Sequence, residues 1–205
     1  KPIASASISQ VYKAILKDGS NVAVKIQRPE AKDLMQTDME IMLYFAKLLE
    51  KHSPEIRKYN PVKVAQEFSS WTGKELNFLR EAANAKLFSH NFKGSKTVKI
   101  PKIYDEYATE KILVLEFIEG IELHNTEEIK RKKLKFDIII KNGFDATLTQ
   151  VFIHGFFHAD PHPGNILVLK NNSIAFVDFG IVGHFDEKLK DKSISLFYGI
   201  VKNNI

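Results

Sequence analysis

From Ser9 to Gln27 apolar and polar residues alternate, SQVYKAILKDGSNVAVKIQ, on either side of Asp18-Gly19. Alternation with period two marks strands that cover one face, and Asp-Gly supplies a turn, so the stretch predicts a hairpin whose second strand ends near Gln27. Pro29, lacking a backbone donor, helps to end it. The period then lengthens: Met35, Met39, Met42, Phe45 and Leu49 recur at helical spacing and predict a helix over 33–51 with that stripe inward. A second helical region is predicted over 62–92, entered at Pro61 and interrupted at Gly73, with Phe68, Leu76, Leu79, Ala83 and Leu87 facing the core. Residues 98–120 read as two strands joined near Thr109 and ending at Gly120. After Ile129 the pattern predicts a long helix over 134–155, then short strands at 166–170 and 174–177 joined by Asn171-Asn172.

Together these elements predict an α+β chain in two lobes divided close to Gly120. Residues 1–119 form a small antiparallel sheet with an inserted helical stretch, and residues 120–205 form a truncated, mainly helical second lobe. The 205 residues, 44% of them hydrophobic, suffice for a globular core. The absence of cysteine excludes disulfides, a thiolate nucleophile and a cysteine-rich zinc site. No run of eighteen apolar residues and no export-signal arrangement is visible, and the chain reads as a piece of a longer protein. Thirty Lys and Arg against twenty-five Asp and Glu leave a modest +5 that suits phosphate-bearing partners. The densest basic run, Lys130 to Lys135, reads as a solvated helix surface, and no nucleic-acid motif accompanies it.

Three features can carry chemistry. In VAVKIQ, alternation sets Ala23 and Lys25 on one face of the strand, where an ammonium can meet a buried anion. Glu67, Glu75 and Glu81 on the second helical region are its candidate partners. Glu81 is preferred, because Ala82, Ala83 and Ala85 permit close approach of helix to sheet, and Glu75 stays open. In HADPHPGN, two prolines and a glycine shape a rigid turn presenting Asp160, a candidate acceptor of a hydroxyl proton, and Asn165, whose neutral carbonyl oxygen suits magnesium beside phosphate. Asp178 follows the apolar strand IAFV, where a carboxylate can serve a second metal position while Phe179 packs inward. A competing reading takes His154, His158, Asp160 and His162 as a transition-metal set. The glutamate of a hydrolytic zinc motif is absent between the first two histidines, and His158 reads better as a residue that holds the loop.

The stretches PIASASISQVYKA, VAVKIQRP, KELNFLREAANA, LVLEFIEG, HADPHPGNI and VDFG, in that order, closely resemble the UbiB/AarF/ADCK family of atypical, protein-kinase-like proteins. The resemblance implies a bilobal kinase-like fold that binds ATP or ADP with Mg2+ in its cleft. Lys25, held by Glu81 or Glu75, would contact the phosphates, Ala4, Ser5, Ala6 and Ser7 would take the place of a glycine-rich loop, and the backbone of Glu116, Phe117 and Ile118 would receive the adenine. Asp160 would be the catalytic aspartate, with Asn165 and Asp178 at the metal. It further implies a lipid or isoprenoid-quinone precursor as acceptor, membrane-associated biosynthetic partners, and a setting at the cytoplasmic face of a bacterial membrane or in mitochondria or plastids. Two other functions compete: a catalytically silent, nucleotide-regulated scaffold, and a soluble small-molecule phosphotransferase. Where family members read Glu-x-Asp, this chain has Glu75-Leu76-Asn77, and Ser9 stands where they usually have glycine.

Overall fold

The computed structural model describes residues 1–202, which form two compact units: residues 1–82 with 104–116, and residues 83–103 with 117–205, of which 203–205 lie outside the described residues. The first is built on an antiparallel sheet of order β1-β2-β3-β5, comprising β1 (Ala4–Ser5), β2 (Ser9–Ile15), β3 (Asn21–Gln27) and β5 (Ile112–Glu116). The β2–β3 hairpin forms as its alternation predicts. Gly19 takes φ +86°, a left-handed conformation that glycine adopts without steric cost, and the Ser20 amide donates to Asp18 Oδ1 at 2.9 Å. Pairing of Ala23 with Leu115 and of Lys25 with Leu113 puts β3 in the middle of the sheet. Val22, Tyr104 and Val114 pack together on one of its faces.

The helices of this unit depart from their expected faces. Helix α1 (Ala31–His52) packs on α3 (Pro61–Glu75), with the four-residue α2 (Pro54–Arg57) between them in sequence. Ala31 and Ala46 are the buried residues of α1; of the expected stripe Met35, Met39 and Met42 are half-buried, while Phe45 and Leu49 are exposed. The expected stripe was read from side-chain size, whereas close packing of one helix on another favours the small residues. The second helical region breaks at Leu76-Asn77, not at Gly73, and α4 (Phe78–Asn91) follows. Asn77 Oδ1 accepts from the Leu79 amide at 3.0 Å, satisfying one of the unpaired donors of a helix start. Asparagine serves that purpose as well as aspartate does, so the departure from Glu-x-Asp leaves the helix start intact. Phe78, Ala82, Ala85 and Phe88 form the buried stripe, and the expected core residues Phe68, Leu79, Ala83 and Leu87 are exposed.

The second unit holds a sheet of order β4-β9-β8-β6, comprising β4 (Val98–Lys99), β6 (Ile121–Glu122), β8 (Ile166–Val168) and β9 (Ile174–Phe176). Strand β4 runs parallel to β9, so β4 and β5 are not the hairpin expected around Thr109. Thr109 instead caps its own turn, its hydroxyl accepting from the amides of Lys111 and Ile112. The same pairing moves residues 83–103 out of the first lobe expected over 1–119, because Ala85, Phe88 and Val98 share a core with Ile139, Ile174, Phe176 and Phe179. Asn171-Asn172 turns β8 into β9 as predicted, with Asn172 at φ +63°.

Helix α5 (Thr126–Arg131) is capped by Asn125, whose side chain accepts from the Glu128 amide. The basic run therefore closes a helix and continues into a turn, with Lys133 at φ +55° and its lysines exposed, and is not one continuous helical surface. Helix α6 (Phe136–Leu148) continues as a π-helical turn, Thr149–His154, that ends at Gly155 with φ +61°. Phe156 and Phe157 then lie on strand β7 (Phe156–His158), which pairs with β10 (Val182–His184), and not on the helix. Helix α7 (Glu187–Val201) is capped by Asp186.

Phe88 is fully buried, with its ring centroid 4.9 Å from that of Phe156 and 5.2 Å from that of Phe179. Phe88→Ala removes that ring and leaves a cavity, which costs about 3–5 kcal/mol. Urea unfolding should show an unfolding free energy lowered by that amount, with Phe88→Leu retaining most of the stability.

Candidate active site

In the first unit, Lys25 projects from the central strand to Glu81 in the first turn of α4. Its Nζ lies 2.8 Å from both carboxylate oxygens, with side-chain exposures of 12% and 4%. The Phe78 ring centroid is 5.3 Å from the same ammonium. Glu81 is thus the partner, while Glu67 sits with Lys63 on an exposed surface. Nζ carries three donors and no acceptor, so every partner it takes must be an acceptor, an anion above all. A carboxylate in the first turn also sits favourably at the positive end of the helix dipole. Residues Ala4–Ser7 form strand β1 and the tip that leads into β2, and Glu116 closes β5 where the chain passes to Phe117 and the buried Ile118.

In the second unit the β8–β9 register does the positioning. Ile166 pairs with Phe176, so Asn165 and Asp178 emerge at the same open end of that hairpin. The Val177 amide donates to the Asn165 carbonyl at 3.1 Å and locks the two together. Asn165 ends a 3-10 turn, Pro163–Asn165, entered at His162, whose Nδ1 accepts from the Gly164 amide. Its Nδ2 faces the Asp160 carbonyl at 3.4 Å and Asp160 Oδ2 at 3.5 Å, long contacts that turn the amide nitrogen toward Asp160 and the amide oxygen away. Asp160 itself is exposed. Asp178 Oδ1 accepts from the Gly180 amide at 2.9 Å, which aims its carboxylate, and Phe179 inserts into the core at 2% exposure.

His158 binds this arrangement together. Its Nδ1 accepts from the Asp160 amide at 3.2 Å, and its ring packs beside those of Phe176 and Phe179. Burial pushes its pKa below the ordinary value, against the upward pull of a backbone bond to Asp178 and of the Asp178 and Asp160 carboxylates. That Asp178 bond is a weak one, because Nε2 has no partner that meets full hydrogen-bond geometry. The imidazole is therefore a neutral brace. His154 ends a helical turn while His158 lies on a strand, so the two do not share a helix face. Among the described residues no group of three or more His, Asp or Glu is disposed to hold a metal ion.

Two residues of this site were not anticipated. Gln150, 2% exposed in the π-helical turn, accepts from the His158 amide through Oε1 at 2.9 Å. Asn84 donates to the Phe179 carbonyl at 2.9 Å. A glutamine inside the apolar run LTQVFIH was a readable sign of a buried polar contact, since such a group is hidden only where it finds partners. Nothing in LREAANA singled out Asn84.

A lysine–glutamate pair anchored on a central strand, a rigid loop with aspartate and asparagine, and a strand-end aspartate before Phe-Gly define a kinase-like protein. The profile of the ABC1 atypical kinase-like domain matches residues 1–205, and the chain belongs to that family. It is 36% identical over 208 residues to Protein ACTIVITY OF BC1 COMPLEX KINASE 8, chloroplastic, of Arabidopsis thaliana, covering 100% of this chain and 27% of that protein. It is 37% identical over 195 residues to Probable protein kinase UbiB of Aliivibrio fischeri, covering 93% and 36%. The chain thus spans between about a quarter and somewhat over a third of these relatives' length. A solved structure titled as the Rv3197–erythromycin complex from Mycobacterium tuberculosis matches with a TM-score of 0.69 and 30% identity, over 90% of this chain and 46% of that one.

Glu81→Gln takes the carboxylate grip off the part-buried Lys25 ammonium and should lower stability by about 3–5 kcal/mol, whereas Lys25→Met together with Glu81→Leu should recover most of it. Chemical unfolding of the two variants measures the difference. Because the folded-state pKa of His158 is depressed, protonation favours the unfolded chain. Its contribution is complete above about pH 6.5 and declines as the pH falls below that value. His154, also lowered by burial, acts in the same direction. Unfolding free energy should therefore fall from about pH 6.5 to pH 5, ahead of carboxylate protonation, with a shallower slope in His158→Asn.

Proposed function

We propose that the chain binds ATP or ADP with magnesium and, within the whole protein, transfers a phosphoryl group to a lipid-linked acceptor or to water. The observation that carries this reading is the open end of the β8–β9 hairpin, where Asn165 and Asp178 emerge side by side with Asp160 turned toward Asn165. The donors fit the metal. One carboxylate and one amide oxygen are hard ligands, too few for a cage, and magnesium characteristically completes its shell with phosphate oxygens and water. Bound there, magnesium supplies charge neutralisation at the phosphates.

The chain's own residues divide the remaining work. Asn165 Nδ2 orients the Asp160 carboxylate, which accepts the proton of the attacking hydroxyl. Lys25, held by Glu81, presents a point charge to the phosphates. His158 and Gln150 fix the backbone on which Asp160 rides. The loop Ala4–Ser7 covers the phosphates, and the backbone of Glu116, Phe117 and Ile118 receives the adenine. The acceptor we infer is a lipid or isoprenoid-quinone precursor, handled with biosynthetic partners at a membrane surface. Support for that setting comes from the kinase relatives and from family resemblance. Among the described residues no helix is long and apolar enough to cross a membrane.

Titration calorimetry on the wild-type protein should show ATP and ADP binding that requires magnesium, weakened roughly tenfold or more in Asp178→Ala. Turnover should fall about 10²- to 10⁴-fold in Asp160→Asn, with binding kept. Binding without any turnover in the full-length protein would favour a nucleotide-regulated scaffold. The bulk of an Ala/Ser loop, with side chains where phosphate-covering loops have glycine, suits that outcome.

A further inference from the structure

The Ala/Ser loop is gripped by a residue outside it. Arg28, just beyond the end of β3, donates from Nε to the Ala6 carbonyl at 3.0 Å and from Nη2 to Ser5 Oγ at 2.7 Å, while its own amide donates to the Ile8 carbonyl at 2.9 Å. No carboxylate neutralises this guanidinium among the described residues, so its donors are spent on the loop alone.

The sheet register shows from which side the grip is applied. Ala4 pairs with Val11 and Val11 with Lys25, so these three side chains share one face. Ser5 pairs with Gln10 and Gln10 with Ile26, which puts Ser5 on the opposite face. Arg28 thus holds the loop from behind and leaves the Lys25 face clear. At the tip the Ala6 amide is spent on the Ser9 carbonyl. The Ser7 and Ile8 amides enter into none of the hydrogen bonds of the described residues.

Resting on the nucleotide reading above, we propose that Arg28 is a positioning residue: it sets the Ala/Ser loop so that the Ser7 and Ile8 amides meet the outer phosphates of a nucleoside triphosphate. A loop built from Ala and Ser lacks the freedom of a glycine-rich one to wrap its ligand, so its conformation has to be correct beforehand. Arginine suits this role because its rigid fork holds two acceptors at once.

The test compares Arg28→Gln and Arg28→Lys with wild type in the full-length protein, by two readouts. Without nucleotide, hydrogen exchange of the Ile3–Val11 amides should speed up in Arg28→Gln, with exchange in β5 unchanged. Unchanged exchange in the loop overturns the grip. With nucleotide and magnesium, ATP affinity should fall about tenfold in Arg28→Gln, and less in Arg28→Lys, while affinity for AMP, which lacks the outer phosphates, stays the same. A faster loop with the ATP-to-AMP ratio unchanged, or with both affinities lowered equally, overturns the positioning role and leaves a merely structural one. Failure of the wild-type protein to bind ATP sinks the nucleotide reading and the phosphate half of this proposal with it, and the exchange measurement still decides whether Arg28 holds the loop.

Discussion

The contact between Lys25 and Glu81 constrains the first unit more than any other. Two opposite charges at 2.8 Å, one of them 4% exposed, are tolerable where the contact is this close, because burial denies the carboxylate its water. That demand fixes the first turn of α4 against the central strand. The sequence supplies what the geometry needs. Asn77 starts the helix, the Phe78 amide donates to the Glu110 carbonyl, and Ala82 keeps the next turn close at 3% exposure. An ammonium held this way is fixed in position, which suits the phosphate contact proposed for it. Helix α4 also supplies Asn84 to the second unit, where it holds the Phe179 carbonyl beside Asp178.

The second unit reaches a comparable end by other means. Its functional side chains belong to loops, and backbone bonds hold the loops: Val177 to Asn165, Gly180 to Asp178, Asp160 to His158, His158 to Gln150. Loss of the His158–Gln150 bond would leave a polar group buried and unpaired, and the part-buried bonds on either side share that constraint in lesser degree. A neutral His158 fits this design. It accepts from the Asp160 amide without placing a positive charge beside the Asp160 and Asp178 carboxylates. The exposed Asp160 is the member of the set with room to meet an acceptor, while Asn165 and Asp178 are half-buried and fixed.

Much of this was readable before any coordinates. Hairpins declared themselves through Asp18-Gly19 and Asn171-Asn172, because a tight turn needs residues of specific conformational freedom. The loop HADPHPGN and the strand-end Asp178 stood out because residues of complementary chemistry were spaced around rigid turns. Partnerships distant in sequence did not show. A two-residue strand such as Val98–Lys99 carries too little alternation to reveal that it pairs with β9, the pairing that sets residues 83–103 in the second unit. Helix faces failed for another reason. Large apolar residues recur on two adjacent faces of the 78–91 helix, and close packing selected the face with Ala82 and Ala85 over that with Leu79 and Leu87. Gln150 left a trace, a polar residue inside an apolar run, whereas Arg28 left none, because its partners Ser5 and Ala6 lie more than twenty residues away in sequence.

In the proposed site Asn165 and Asp178 would hold a divalent ion only together with a nucleotide's phosphates. Paramagnetic broadening of amide signals by Mn2+, in isotopically labelled protein with and without ATP, tests it most directly. The Asn165, Val177 and Asp178 amides should broaden first, and only when ATP is present. Broadening centred elsewhere, or equal with and without ATP, would contradict it.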